Sequence, residues 1–268
     1  MTEYPDFKRM INSISIGAAV IPRVVRYLAD GRFPEGLSVE LAQHSLDFGP
    51  DGWFHPSTHP LWPERMLWYY KHHPSDMQVE PGDYMRSLSV TMGSLIHSFM
   101  QQCLRDEGLL LTADQMMVLG LPVDGAGELV LVDEATCTRG KGDGVLSVPV
   151  LGERNPLFEF KTSNGMKLRK IDDMDTDAFI RVWPEYYAQV QEYMRMSGIG
   201  VTVVLVMALG YPWEMREFHI ERNVQWQVGV VEKYQAALGD DLPMPCCGPR
   251  SKEAKVCPAR AICPVGRA

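Results

Sequence analysis

The chain has 268 residues, a net charge of −8 from 26 Lys and Arg against 34 Asp and Glu, and 46% hydrophobic residues. That length suits one large α/β domain or one domain with appendages, and the apolar fraction supplies a sizeable core. The acidic balance excludes coating of nucleic acid through bulk charge; contact with a polyanion would need a local basic patch or carboxylates neutralised by cations.

The opening MTEYPDFKRM lacks the basic-then-apolar layout of a secretion signal, and the expectation is a soluble cytoplasmic protein. Residues 5–30 carry mixed helical spacing with a kink expected at Pro22, and the apolar run ISIGAAVIPRVV is too short to span a bilayer. GRFPEG and DFGPDGWFHPSTHP read as irregular, after which Ser57 or Thr58 is placed to cap a helix through LWPERMLWYYKHH that Pro74 ends. PGDYMRSLSVTMGSLIHSFMQQCLRDEG is the clearest helix, with Met85, Leu88, Met92, Leu95, Ile96, Phe99 and Cys103 striped at 3/4 spacing and Gly108 as its C-terminal cap.

ELVLVDEATCTRGKGDGVLSVPVL predicts antiparallel strands around a glycine-rich middle, and PLFEFKTS predicts the next strand. KLRKIDDMDTD reads as a polar loop; Trp183-Pro184 opens a helix through YYAQVQEYMRM that Gly198 closes. GVTVVLVMAL is a β-branched central strand, followed by a strand around REFHIERN, a helix VQWQVGVVEKYQAAL, and a Pro- and Cys-rich tail. The predicted architecture is α/β, a central mixed sheet flanked by helices, not a doubly wound nucleotide fold. Its expected divisions are an N-terminal helical or irregular extension (1–83), a core (84–240) and a Cys-rich tail (241–268).

Side chains alternate along a strand, so Leu157, Glu159 and Lys161 share one face of PLFEFKTS and Phe158, Phe160 and Thr162 the other. Alone, the Glu–Lys face reads as solvated. If the strand lies beside Asp143 of TRGKGDGVL, two carboxylates and a lysine converge, the donor chemistry a hard divalent cation needs; Asp143 otherwise reads as a turn residue. Such a cation activates water and stabilises charge on a scissile phosphate, and a lysine beside it positions that water, helps deprotonate it or neutralises phosphate. Gly93 and His97 share a helical face at the flank of the apolar stripe, either as packing residues or with His97 as a nitrogen ligand that favours Mn²⁺ somewhat over Mg²⁺.

Gln189 and Tyr193 repeat at i, i+4, either as core-edge residues or as hydrogen-bonding partners of the site and of a nucleic-acid backbone. Lys167, Arg169 and Lys170 are the best local basic cluster, a solvated loop or a phosphate contact. Four of the six cysteines, Cys246, Cys247, Cys257 and Cys263, crowd the last 23 residues. In a cytoplasmic chain that points to zinc or an iron–sulfur cluster more than to disulfides, although the spacing is not that of a zinc ribbon.

GSLIH, GKGD, EFK, QVQEY and a terminal cysteine cluster, in that order over residues 85–265, resemble the PD-(D/E)XK nuclease superfamily. More narrowly they resemble the RecB-like exonucleases associated with CRISPR systems and also carried by phages. The resemblance implies a metal-dependent DNA exonuclease acting on single strands or ends, in recombination, repair or phage replication and with proteins of those processes as partners. It implies Mg²⁺ or Mn²⁺ on His97, Asp143, Glu159 and the Phe160 backbone carbonyl, Lys161 as the catalytic lysine, and Gln189 and Tyr193 as the family's QxxxY motif. It also implies a [4Fe–4S] cluster with one cysteine upstream of the core and three at the C-terminus; HPLWPERMLWYY has no cysteine, which leaves the doubled Cys246-Cys247 or a histidine such as His59 as the missing ligand, zinc in place of the cluster, or no cluster. A DNA-end-binding accessory protein with little cleavage, and a non-catalytic zinc or iron–sulfur interaction module, are the competing readings.

Overall fold

A computed structural model describes residues 17–30, 32, 51–77, 84–124, 128–172, 174–209, 214–249 and 251–267, with the backbone alone described for 84–91, 266 and 267. Helix α1 spans Ile21–Ala29, α2 Glu64–His72, α3 Tyr84–Asp106 and α4 Ala113–Val118. Pro22 does not kink a helix but sits in the first turn of α1, where its missing N–H removes nothing. The N-terminus of α1 is capped from a distance: the fully buried Glu217 carboxylate accepts from the N–H groups of Ala19, Val20 and Ile21 at 2.6, 2.9 and 2.9 Å. The expected helix segment before residue 17, the GRFPEG turn and the side chains of Met85 and Leu88 lie outside the described residues.

Neither Ser57 nor Thr58 caps α2, which starts after Pro63 with no side-chain cap; the two hydroxyls bond each other in the preceding turn. Along α3 the buried stripe begins later than its spacing predicts. Met92 is 44% exposed, whereas Met100, Cys103 and Leu104 are fully buried. Gly108, in the left-handed region just past α3, closes it as expected.

Hairpin β1 (Leu129–Asp133) and β2 (Thr138–Gly142) forms a two-stranded sheet and runs through Asp143 into β3, only Gly144–Val145. The main sheet has the order β3–β4–β5–β6, with β4 Leu157–Asn164, β5 Val201–Leu209 and β6 Met215–Glu221. β4 and β5 are parallel, and both outer pairs are antiparallel. A parallel pair needs a crossover, supplied by α5 (Gly165–Leu168), α6 (Thr176–Val182) and α7 (Pro184–Ser197). The expected polar loop KLRKIDDMDTD is therefore not a loop throughout. Leu168 and Ile171 are buried, and the Asp175 carboxylate caps α6. Leu168 is the one buried residue of α5, and α6 buries Ala178 and Phe179 side by side, so helices this short carry too little periodicity to be read in sequence.

Helices cover both faces of the sheet, so β5 is apolar without alternation. Phe158, Phe160, Val203 and Leu205 pack under α1 and α3, while Leu157, Val204, Val206, Phe218 and Ile220 pack against Phe179, Trp183, Val190 and Met194 of the crossover. Helix α8 (Val224–Leu238) stacks Tyr234 on Phe54 at 4.7 Å and meets α2 at Leu67 and Tyr70. The tail, with α9 (Lys252–Val256) and α10 (Pro264–Arg267), returns to Tyr69 of α2 through Ala259 and Cys263.

Candidate functional site

The period-two reading of β4 places Glu159 and Lys161 toward α7, and the structure buries that face. Glu159 is 2% exposed and its Oε1 lies 2.7 Å from Lys161 Nζ, so the pair is not a solvated surface. Gln189 Nε2 donates to the same oxygen at 3.0 Å and to Tyr193 Oη at 2.8 Å, and Tyr193 donates to the Lys141 carbonyl at 2.5 Å. The i, i+4 pair on α7 thus ties Glu159 to the strand that ends at Asp143. The remaining oxygen, Glu159 Oε2, is buried with no partner.

Asp143 stands where β2 passes into β3. Its Oδ2 accepts the Phe160 N–H at 2.6 Å, its Oδ1 lies 3.1 Å from His97 Nε2, and its main-chain oxygen accepts from Gln101 Nε2 at 3.0 Å. β3 covers only Leu157 and Phe158 of β4, which leaves the next residues of that edge to Asp143. The N–H and C=O of one extended residue point to the same side, so the Phe160 carbonyl faces the Asp143 edge too. The glycines of GKGDG make the approach possible. A Cβ on Gly140 would meet Tyr193 Cε1 at 2.9 Å and Pro56 Cγ at 3.0 Å, and Gly144 has φ +152°. On α3, a Cβ on Gly93 would stand 3.2 Å from Thr162 Oγ1, which brings His97 over the end of β4.

Burial raises the Glu159 carboxyl above the ordinary carboxylate range, the Asp143 charge raises it further, and Lys161 and His97 offset part of the rise. Burial opposes the charge on Lys161, but Glu159 and Asp143 outweigh it and hold the ammonium protonated. For His97 burial again opposes charge, and Asp143 turns the balance, raising the imidazole. Burial, and then the charge of Glu159, push the Tyr193 phenol far up.

Among the described residues no three His, Cys, Asp or Glu side chains are arranged to hold a metal ion as they stand. The site's donors are turned on one another, His97 to Asp143 and Lys161 to Glu159. The donor set still suits a hard divalent cation, because Glu159 Oε2 is a buried oxygen with no partner and two carboxylates crowd together.

Lys167 and Lys170 are exposed, and Arg169 pairs with Glu214 at 3.0 Å. Cys246, Cys247, Cys257 and Cys263 line one pocket with Arg65, Met66 and Tyr69 of α2. His59 is not among its lining; it is buried against Phe54, Trp62 and Tyr70, its Nδ1 accepting from the His55 N–H. Two contributors escaped the sequence reading, Gln101 and Tyr186. Each had a signal, Gln101 one turn beyond His97 and Tyr186 one turn before Gln189.

No protein-family model matches the chain, and no curated protein does. Among solved structures, the protein SSO0001 superposes with a TM-score of 0.44 at 13% identity, covering 81% of this chain and 87% of that one. An alkaline exonuclease (LHK-Exo) from Laribacter hongkongensis superposes with a TM-score of 0.31 at 14% identity, covering 70% of this chain and 86% of that one. Its complex with dAMP gives the same TM-score and identity, with 87% of that chain covered. Likenesses this loose carry no argument about the site, which rests on the chain's own residues. No helix among the described residues is long and apolar enough to cross a membrane.

Proposed function

We propose that the chain is a PD-(D/E)XK-type nuclease that hydrolyses DNA phosphodiester bonds, as an exonuclease on single strands or ends. The observation that carries the reading is the Asp143–Glu159–Lys161 constellation, Glu159 buried and the other two half-buried, with an unpartnered Glu159 oxygen and His97 on its rim. A structural ion pair has no use for a second carboxylate that raises the first, or for a buried oxygen with nothing to bond.

Asp143, Glu159 Oε2, His97 and the Phe160 carbonyl would hold Mg²⁺ or Mn²⁺, which supplies water activation and charge stabilisation at phosphorus. Lys161, held protonated, neutralises charge on the phosphate. Gln189 and Tyr193 keep Glu159 and the Asp143 strand in register. Lys167 and Lys170, with Arg169 released from Glu214, offer phosphate contacts along the strand. Cys246, Cys247, Cys257 and Cys263 would hold a [4Fe–4S] cluster or Zn²⁺ whose role is to fasten the tail to α2; their pocket already holds the buried Arg65, a countercharge for metal thiolates. Residues 84–240 form the nuclease unit, with 1–83 and 241–268 as its extension and tail. Recombination, repair or phage replication proteins are the expected partners.

End-labelled DNA incubated with Mg²⁺ or Mn²⁺ tests the reading. Glu159→Ala and Lys161→Ala are expected to lower cleavage by about a hundredfold or more with the fold retained. Full activity in both folded variants refutes the site. DNA binding by the wild type with no metal-dependent cleavage refutes the nuclease in favour of an end-binding accessory protein.

A further inference from the structure

Lys161 is a long, flexible side chain whose ammonium must stand at a defined place to act, and the Glu159 contact is a single point of attachment. A second group restrains it. Tyr186, one turn before Gln189 on α7, puts its ring centroid 5.4 Å from Lys161 Nζ. The ring is itself fixed at two places. Its hydroxyl donates to the carbonyl of Thr162, the residue next to Lys161, at 3.2 Å. The Trp183 ring, 1% exposed, stacks near it at 6.1 Å with 16° between planes. The ammonium therefore lies between a carboxylate oxygen and an aromatic ring, which attracts a cation through its quadrupole.

We propose that Tyr186 is a positioning residue, its ring holding the Lys161 ammonium beside Glu159 in the geometry that meets the phosphate. The proposal rests on the nuclease reading for its kinetic consequence, but the contact has a signature of its own. Methylene protons near an aromatic face are shifted upfield by its ring current, so the Lys161 ε-CH₂ resonance, assigned by its loss in Lys161→Ala, is expected upfield in the wild type. Tyr186→Phe keeps the ring and is expected to keep that shift; Tyr186→Leu is expected to lose it.

On end-labelled DNA with Mn²⁺, Tyr186→Leu is expected to lower kcat about tenfold with KM within about twofold, and Tyr186→Phe to stay within about threefold of wild type. In the Lys161→Ala background, Tyr186→Leu is expected to add nothing, because its effect passes through the lysine. Tyr186→Met, which also removes the ring and fills a similar volume, takes its place with the same expected outcomes if the leucine variant fails to fold by far-UV circular dichroism. A Lys161 resonance unmoved by Tyr186→Leu overturns the proposal. So does equal loss of kcat in Tyr186→Phe and Tyr186→Leu, or further loss in the Lys161→Ala background. A ring-current shift that behaves as expected in a wild type that cleaves no better than Glu159→Ala refutes the nuclease reading while the Tyr186 hold on Lys161 stands.

Discussion

Replacing Tyr193 by Phe removes one oxygen atom and tests the link between α7 and the strand that delivers Asp143. That hydroxyl is buried, accepts from Gln189 Nε2 at 2.8 Å and donates to the Lys141 carbonyl at 2.5 Å. A typical hydrogen bond contributes about 0.5–1.5 kcal/mol, and an acceptor left without its donor in a part-buried place such as the Lys141 carbonyl costs about 1–3 kcal/mol. The ring stays and no cavity of methyl size opens, so packing adds little. The sum is about 1.5–4.5 kcal/mol of lost stability. For a chain of this size each kcal/mol moves Tm by roughly 2–4 °C, so thermal melts followed by circular dichroism are expected to fall by about 3–18 °C. Because Lys141 stands two residues before Asp143, cleavage is expected to fall as well, by about tenfold. A Tm within about 2 °C of wild type refutes the hydrogen-bond chain, and with it the claim that the QxxxY pair sets the position of Asp143.

Three more perturbations probe neighbouring parts of the same reasoning. Gly140→Ala drives a methyl group to 2.9 Å from the Tyr193 ring, and denaturant titration is expected to show about 1–3 kcal/mol of destabilisation. Gln101→Leu removes the amide that holds the Asp143 main chain from α3; kcat is expected to drop about tenfold while DNA affinity, measured by fluorescence anisotropy, holds. Burial, and then the charge of His55, press the His59 imidazole down to about 3 from its ordinary 6.5. The unfolded chain therefore binds the proton first, and stability contributed by neutral His59 is lost as pH falls from about 6.5 toward 3. At about pH 5 the loss is on the order of 2 kcal/mol, and melts of His59→Phe are expected to lack that part of the acid slope.

The long, strongly patterned elements were legible in the chain. GVTVVLVMAL read as a central strand from its β-branched run and is one, and the Pro184 start and Gly198 stop of α7 follow from local backbone chemistry. The two faces of PLFEFKTS came from its period of two and hold in the structure. Short elements did not read well. Pro22 opens a helix instead of bending one, because the choice depends on whether residues before it are helical. Leu168 and Ile171 are core residues inside a stretch whose composition is polar, since Leu168 alone docks the one-turn α5 and Ile171 docks the turn that follows it.

For the site, the sequence by itself determined the chemistry on offer: a carboxylate among glycines, a Glu-x-Lys strand, an imidazole and a QxxxY face, each legible because period and spacing assign residues to one side of an element. What it left open was whether Glu159 faced water or protein, and that answer came from non-local packing. α7 covers the strand through the crossover that a parallel β4–β5 pair demands, and a two-residue β3 leaves the edge beyond it to Asp143. Helical spacing sets Gln101 on the face of His97 and Tyr186 on that of Gln189, but only the tertiary structure put them beside Asp143 and Lys161, because contacts between residues tens of positions apart depend on how the layers stack.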